Sequence, residues 1–236
     1  GPLMDPFNIN FEADRNLLKG LLTNIPVNSI VYLNNLELSD NLLYSVLHNL
    51  ETNKHIYELC LRNNNITFVG MFFIYFHIKR YIEDGNTRID NICDSLIKPV
   101  ENRQYTSLKI LDVSHNKIGD DGACYIGKLI RESVNLQKIF AGHNNIGDEG
   151  AKKIASGLIL TRNTNFIALK LNNNNISYKG CNNIVVALSK NKHLKMLDLT
   201  HNNLDYNCYE IILQFLSSFD CSNMLTNLSI TNDGSG

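Results

Sequence analysis

Charge is scarce in this chain. Asp, Glu, Lys and Arg make up 19% of its 236 residues, against about 25% in ordinary globular domains. The 22 Lys and Arg nearly balance the 23 Asp and Glu, and no basic stripe collects on any segment. Nucleic acid and anionic membrane are therefore not expected as partners. Long apolar runs are missing too: the stretch 68–78 holds about 11 residues, where a bilayer-spanning helix needs roughly 20. The beginning shows no charged-then-apolar leader; Gly1, Pro2 and Leu3 before Met4 read as a protease-cleavage scar. The six cysteines, Cys60, Cys93, Cys124, Cys181, Cys208 and Cys221, have no CxxC spacing. Six free thiols in a reducing cytoplasm are expected, not a disulfide framework.

Catalytic signatures are also missing. There is no GxGxxG, G-K-[ST], H-E-x-x-H or G-x-S-x-G, so no cofactor, metal or nucleophile site is expected. Asp112, Ser114 and His115 lie close in sequence, but a regular strand cannot fold them into an acid–base–nucleophile relay. Asp120, Asp121, Asp148 and Glu149 do not have EF-hand spacing. They read as acids near helix N-termini, where the dipole favours negative charge.

Asn fills the place of the missing charge. It makes up about a seventh of the chain, and much of it falls in a repeat. Residues 108–122, LKILDVSHNKIGDDG, return as LQKIFAGHNNIGDEG at 136–150 and as FIALKLNNNNISYKG at 166–180. Each copy sets an apolar residue, another three on, another two further, then Asn, Ile and Gly. The openings Leu108, Leu136, Phe166 and Leu194 are about 28 to 30 residues apart.

This pattern resembles the leucine-rich repeat, L-x-x-L-x-L-x-x-N-x-L, and its period lies at the long end for that family. The I-G-D-x-G-A tail at 118–123 and 146–151 resembles the ribonuclease-inhibitor-like subtype, which includes ribonuclease inhibitor, NOD-like receptor sensor regions, Ran GTPase-activating protein and tropomodulin. The resemblance implies an α/β solenoid: a curved sheet of about seven parallel strands on the concave side, with α-helices on the convex side. Ran GTPase-activating protein uses an arginine from a strand-to-helix loop. Neither Arg62 nor Arg162 matches that placement, and no catalytic residue is carried over.

The expected organisation is a helical N-terminal cap over 4–26, with a helix near 10–22, and a solenoid over 27–233. Its first repeat is degenerate, read as Val27, Ile30, Tyr32 and Asn35. After the clean second repeat the period breaks. An insertion of about 24 residues, near 81–104, is expected to carry a short helix and to cover the segment 70–82, which is apolar on nearly all sides.

Within L-x-L the side chains alternate, so Leu111 and Val113 should face the core and Asp112 the open side. Asn35, Asn64, Asn116, Asn144, Asn174 and Asn202 are expected as a structural ladder, since a carboxamide can pair both a donor and an acceptor of a turning backbone. The column Asn34, Asn63, His115, His143, Asn173, His201 and Asn232 reads as a polar turn edge; no carboxylate or Cys in it completes a metal site. The candidate binding face comprises Ile110, Asp112, Lys138, Phe140, His143, Lys170, Met196 and Asp198, around an apolar centre of Ile110, Phe140, Ala168 and Met196. The expected function is a monomeric, cytoplasmic, non-enzymatic module that binds a protein partner on its concave face. The alternatives are a GTPase-activating or other enzyme-regulating protein, and an effector acting in a host cytosol.

Overall fold

The computed structural model describes residues 29–50, 56–79, 81–82, 98–99, 108–218 and 225–231. The expected cap helix and the expected insertion helix fall outside these residues. A parallel sheet of seven strands runs in the order β1 (Ser29–Tyr32), β2 (Ile56–Cys60), β5 (Ile110–Asp112), β6 (Lys138–Phe140), β7 (Ala168–Lys170), β8 (Met196–Asp198) and β9 (Asn227–Ser229). Among the described residues six helices return the chain along the other side: α1 (Asp40–Leu50), α2 (Phe68–Lys79), α3 (Gly119–Glu132), α4 (Asp148–Leu160), α5 (Tyr178–Lys190) and α6 (Tyr206–Leu216). The open parallel sheet with a helix in each crossover is the expected solenoid. Among the described residues no helix is long and apolar enough to cross a membrane.

The alternation in L-x-L builds the core. Leu59, Leu111, Ile139, Leu169 and Leu197 are in register across the sheet and buried. One strand residue to either side, the side chains face away from the helices. Inward residues of each helix, such as Ile126, Leu129 and Ile130 of α3 or Ile154 and Leu158 of α4, close the same core from the other side.

Past each strand the backbone leaves the ladder, and Asn takes over its hydrogen bonds. Asn144 is fully buried. Its Oδ1 accepts from the amides of Asn116 (3.1 Å) and Ile118 (3.3 Å), and its Nδ2 donates to the carbonyls of Val113 (2.9 Å), Gly142 (3.1 Å) and Ala141 (3.3 Å). Asn64, Asn116 and Asn174 repeat this arrangement, each reaching back to the preceding repeat. Asn202 does the same through Ile176 and Leu171. Each carboxamide thus fastens its own repeat to the one before it.

Asn35 is not part of this ladder. The amides that Asn64 Oδ1 receives in the first repeat are those of Leu36 and Leu38, so Leu36 holds the ladder position. The inward residues of β1 are Val31 and Leu33, both buried, while Ile30 and Tyr32 are 45% and 65% exposed. The reading of the first repeat through Val27, Ile30, Tyr32 and Asn35 is one residue out of frame. In a strand a shift of one exchanges the two faces. Asn35 and Asn63 have left-handed φ of 59° and 55°, and so do His115, His143, Asn173 and His201. Asn35, not Asn34, therefore opens that turn-edge column. Asn and His are among the side chains that enter this region most readily. Asn232 and Asp233 lie outside the described residues.

The glycines at the helix starts answer an acid on the previous helix. Asp120 Oδ1 accepts from the amides of Gly147 (2.7 Å) and Gly150 (3.0 Å), and Asp148 Oδ1 accepts from those of Ser177 (2.7 Å) and Gly180 (3.0 Å). These acids serve the helix of the next repeat, a role the sequence reading assigned only to their own. The helices also begin two or three residues earlier than Gly122, Gly150, Gly180 and Cys208. At the last contact Cys208 replaces the glycine and forms a small buried cluster with Cys181 and Ile212. Burial and then the neighbouring Cys208 raise the Cys181 thiol to about 12. Cys60, Cys124, Cys181 and Cys208 are not in disulfides.

Helix α2 buries Met71, Phe72, Phe73, Ile74, Tyr75 and Ile78, in keeping with its apolar character on all sides. It ends at Lys79 instead of continuing to 82. Tyr81–Ile82 form β3, which pairs antiparallel with β4 (Lys98–Pro99). The residues between the two strands are outside the described set.

Candidate functional site

The strand residues that face away from the helices form two rows. One runs Glu58, Ile110, Lys138, Ala168, Met196 and Asn227; the other runs Cys60, Asp112, Phe140, Lys170, Asp198 and Ser229. Ile30 and Tyr32 extend them onto β1. The expected residues Ile110, Asp112, Lys138, Phe140, Lys170, Met196 and Asp198 all lie on this face and all are half-buried.

The register does not gather the apolar ones. Ile110 is opposite Lys138, and Phe140 stands between Asp112 and Lys170 in the other row. Ala168 is only 4% exposed and adds nothing to an outer patch. The expected apolar centre is therefore a diagonal scatter across alternating charge, because residues two apart on one strand fall in different rows. Lys170 Nζ lies 5.0 Å from the Phe140 ring centroid, within cation–π range. The acids are tied down at strand ends. Asp112 Oδ1 accepts from the Ser114 amide (3.0 Å) and hydroxyl, and Asp198 Oδ1 accepts from the amide (2.9 Å) and hydroxyl (2.7 Å) of Thr200. Cys60 donates to Glu58 Oε1 at 3.4 Å, and burial, with Glu58 beside it, lifts this thiol to about 12.

His143 lies apart from the two rows, on the rim where the chain turns off the sheet. Its ring stacks on that of His115 with centroids 3.8 Å apart and planes 16° from parallel. Arg62 Nη2 sits 3.1 Å from His115 Nε2. Burial, then the Arg62 charge, lowers the His115 pKa, with Asp112 opposing; burial, then His115, Arg62 and His201, lowers that of His143. Among the described residues no group of three His, Cys, Asp or Glu is placed to hold a metal ion.

Sequence reasoning missed Ile30, Tyr32 and the Arg62–His115 contact. The signal for the first two was the one-residue frame of repeat one, set by Val31 and Leu33. For Arg62 no sequence signal links it to a residue in the next repeat beyond the insertion.

A family model described as Leucine Rich repeat matches residues 105–127, 142–155 and 190–207. No curated protein matches the chain in sequence. Among solved structures, that of leiomodin-1 actin-binding site 2 shares 14% identity over 89% of this chain and 88% of that one, with a TM-score of 0.45. The tropomodulin C-terminal domain of Caenorhabditis elegans shares 14% over 88% and 92%, with a TM-score of 0.44. The repeat match coincides with the parallel strands, the returning helices and the buried Asn ladder: the chain carries leucine-rich repeats at these residues, stacked as an α/β solenoid.

Proposed function

We propose that this chain is a non-catalytic module of the cytoplasm that binds a protein partner on the open face of its sheet, with Phe140 as the anchor. The observation that carries this is the half-buried Phe140 ring on the outer face, flanked in register by Asp112 and Lys170 and overlain by the Lys170 ammonium. An aromatic ring with charges fixed around it suits a hot spot: the ring supplies apolar area, and the charges set orientation. Ile110, Lys138, Met196 and Asp198 complete the contact surface, and no residue is given a catalytic role.

The test is affinity capture with wild type beside Phe140→Ala and Lys153→Ala, followed by calorimetry on the partner that wild type retains. Lys153 is exposed on α4, away from the sheet. Phe140→Ala should weaken binding by about 2 kcal/mol or more, with unchanged circular dichroism, and Lys153→Ala should have no effect. Undiminished affinity in Phe140→Ala overturns the assignment. A GTP-hydrolysis assay over a panel of small GTPases should show no stimulation; stimulation would replace this reading with an enzyme-regulating one.

A further inference from the structure

We propose that the rim formed by Arg62, His115 and His143 receives a carboxylate from an acidic segment of the protein partner. This rests on the concave-face reading and names the chemistry of its partner at one edge. Arg62 is exposed, two residues beyond β2. A guanidinium only donates, so in its 3.1 Å contact the His115 Nε2 is the bare, accepting nitrogen. Among the described residues that imidazole is the only side-chain partner of the Arg62 guanidinium. An arginine oriented by a neutral acceptor makes no ion pair in that contact and leaves its other N–H groups in a planar fork, the geometry that grips a carboxylate through two bonds.

The surroundings fit a monoanion. The turn-edge column here, Asn63, His115, His143, Asn173 and His201, contains no acid. The charged or titratable groups that act on the two histidines are Arg62 from the β2–α2 connection, Asp112 from β5, and His201 from the β8–α6 connection. Arg62 is one fixed cation and Asp112 already places a negative charge nearby, so the rim tolerates a singly charged carboxylate better than a doubly charged phosphate. The stacked imidazoles give up their protons readily because burial and Arg62 disfavour the charged forms. A bound carboxylate reverses the second effect, so binding takes up protons and is tighter in mild acid.

The test uses a fluorescein-labelled oligoglutamate peptide, read by anisotropy at fixed ionic strength, with histidine ring-proton resonances followed by NMR. Binding should saturate, be stronger near about pH 6, where the peptide is still ionised, than near about pH 8, and raise the pH at which His115 and His143 titrate. Arg62→Gln should weaken it about tenfold or more, as expected when a charge-assisted bond is lost. Oligolysine should not bind, and inorganic phosphate at matched ionic strength should not displace the peptide. No saturable binding, equal binding by Arg62→Gln, or displacement by phosphate would each overturn the proposal. A natural partner lost on Phe140→Ala but retained by Arg62→Gln would leave the concave-face reading standing and remove this one.

Discussion

Asp120 occupies the space that Gly150 leaves empty. Its Oδ1 is 3.0 Å from the Gly150 amide, and a Cβ added at 150 would stand 2.6 Å from that oxygen. The acid and the glycine belong to consecutive repeats, and the same relation joins Asp148 to Gly180 and Asp40 to Gly70. The acid therefore requires the missing side chain one repeat later. Where the last helix has Cys208 in place of glycine, the preceding helix has Tyr178 in place of the acid, and Asp205 caps α6 from its own repeat.

Gly150→Ala should destabilise the protein by about 1–3 kcal/mol, the usual cost of overpacking a close contact. Asp120→Ala removes the oxygen in the way, so the double variant should lose less than the sum of the single losses. It should not recover wild-type stability, since Ile146 Cγ2 and Ala123 Cβ also crowd the site at 2.7 and 3.0 Å. A urea double-mutant cycle measures this, and strict additivity would break the link between the two residues.

Asn144→Ala should cost about 1–3 kcal/mol or somewhat more, because buried backbone groups lose their partners. Asn145 is exposed, with a left-handed φ of 55°, and Asn145→Gly, which keeps that conformation available, should change stability little. Denaturant midpoints compare the two. A similar loss in both would mean that the buried carboxamide is not what holds the repeats together.

Stability should fall in two stages on acidification. His115 and His143 have folded-state pKa values below the ordinary 6.5. Above about 6.5 they are neutral in both states; below it the unfolded chain takes protons first, and the fold weakens until the folded value is passed. Asp148 comes next. Burial alone would raise its pKa, but hydrogen bonds from Ser177 and Gly180 and the Lys179 charge hold it below 3.8. Its contribution is complete above about 3.8 and is lost as pH falls through the folded value. Urea midpoints of wild type and His143→Asn, which places in this column the residue found at 173, should diverge between about pH 7 and 5; parallel curves would remove His143 from the first stage.

Thiol titration of the denatured, unreduced protein should find all six cysteines reactive. The four described ones are not in disulfides, and a count of four would mean a bond between Cys93 and Cys221.

The repeat was legible because its cause is local and recurs. An apolar residue every second position in a short strand, an Asn at a fixed distance and a glycine at the helix start determine a strand, a turn and a helix, and stacking follows since no unit can bury its apolar side alone. That gave the parallel sheet, the helix of residues 40–50 and five members of the Asn ladder. It failed where the motif is degenerate. In β1 both frames offer apolar residues, and only the pairing of Asn64 with the Leu36 and Leu38 amides selects Val31 and Leu33 as inward. The make-up of the open face of the sheet was likewise decided by register: sequence names the outward residues of each strand, but which of them become neighbours depends on how strands about 28 to 52 residues apart align. The same alignment set Phe140 beside Lys170 instead of Ile110 and brought Arg62 to His115 across the insertion, because contacts between repeats depend on the stacked backbone and not on either segment alone.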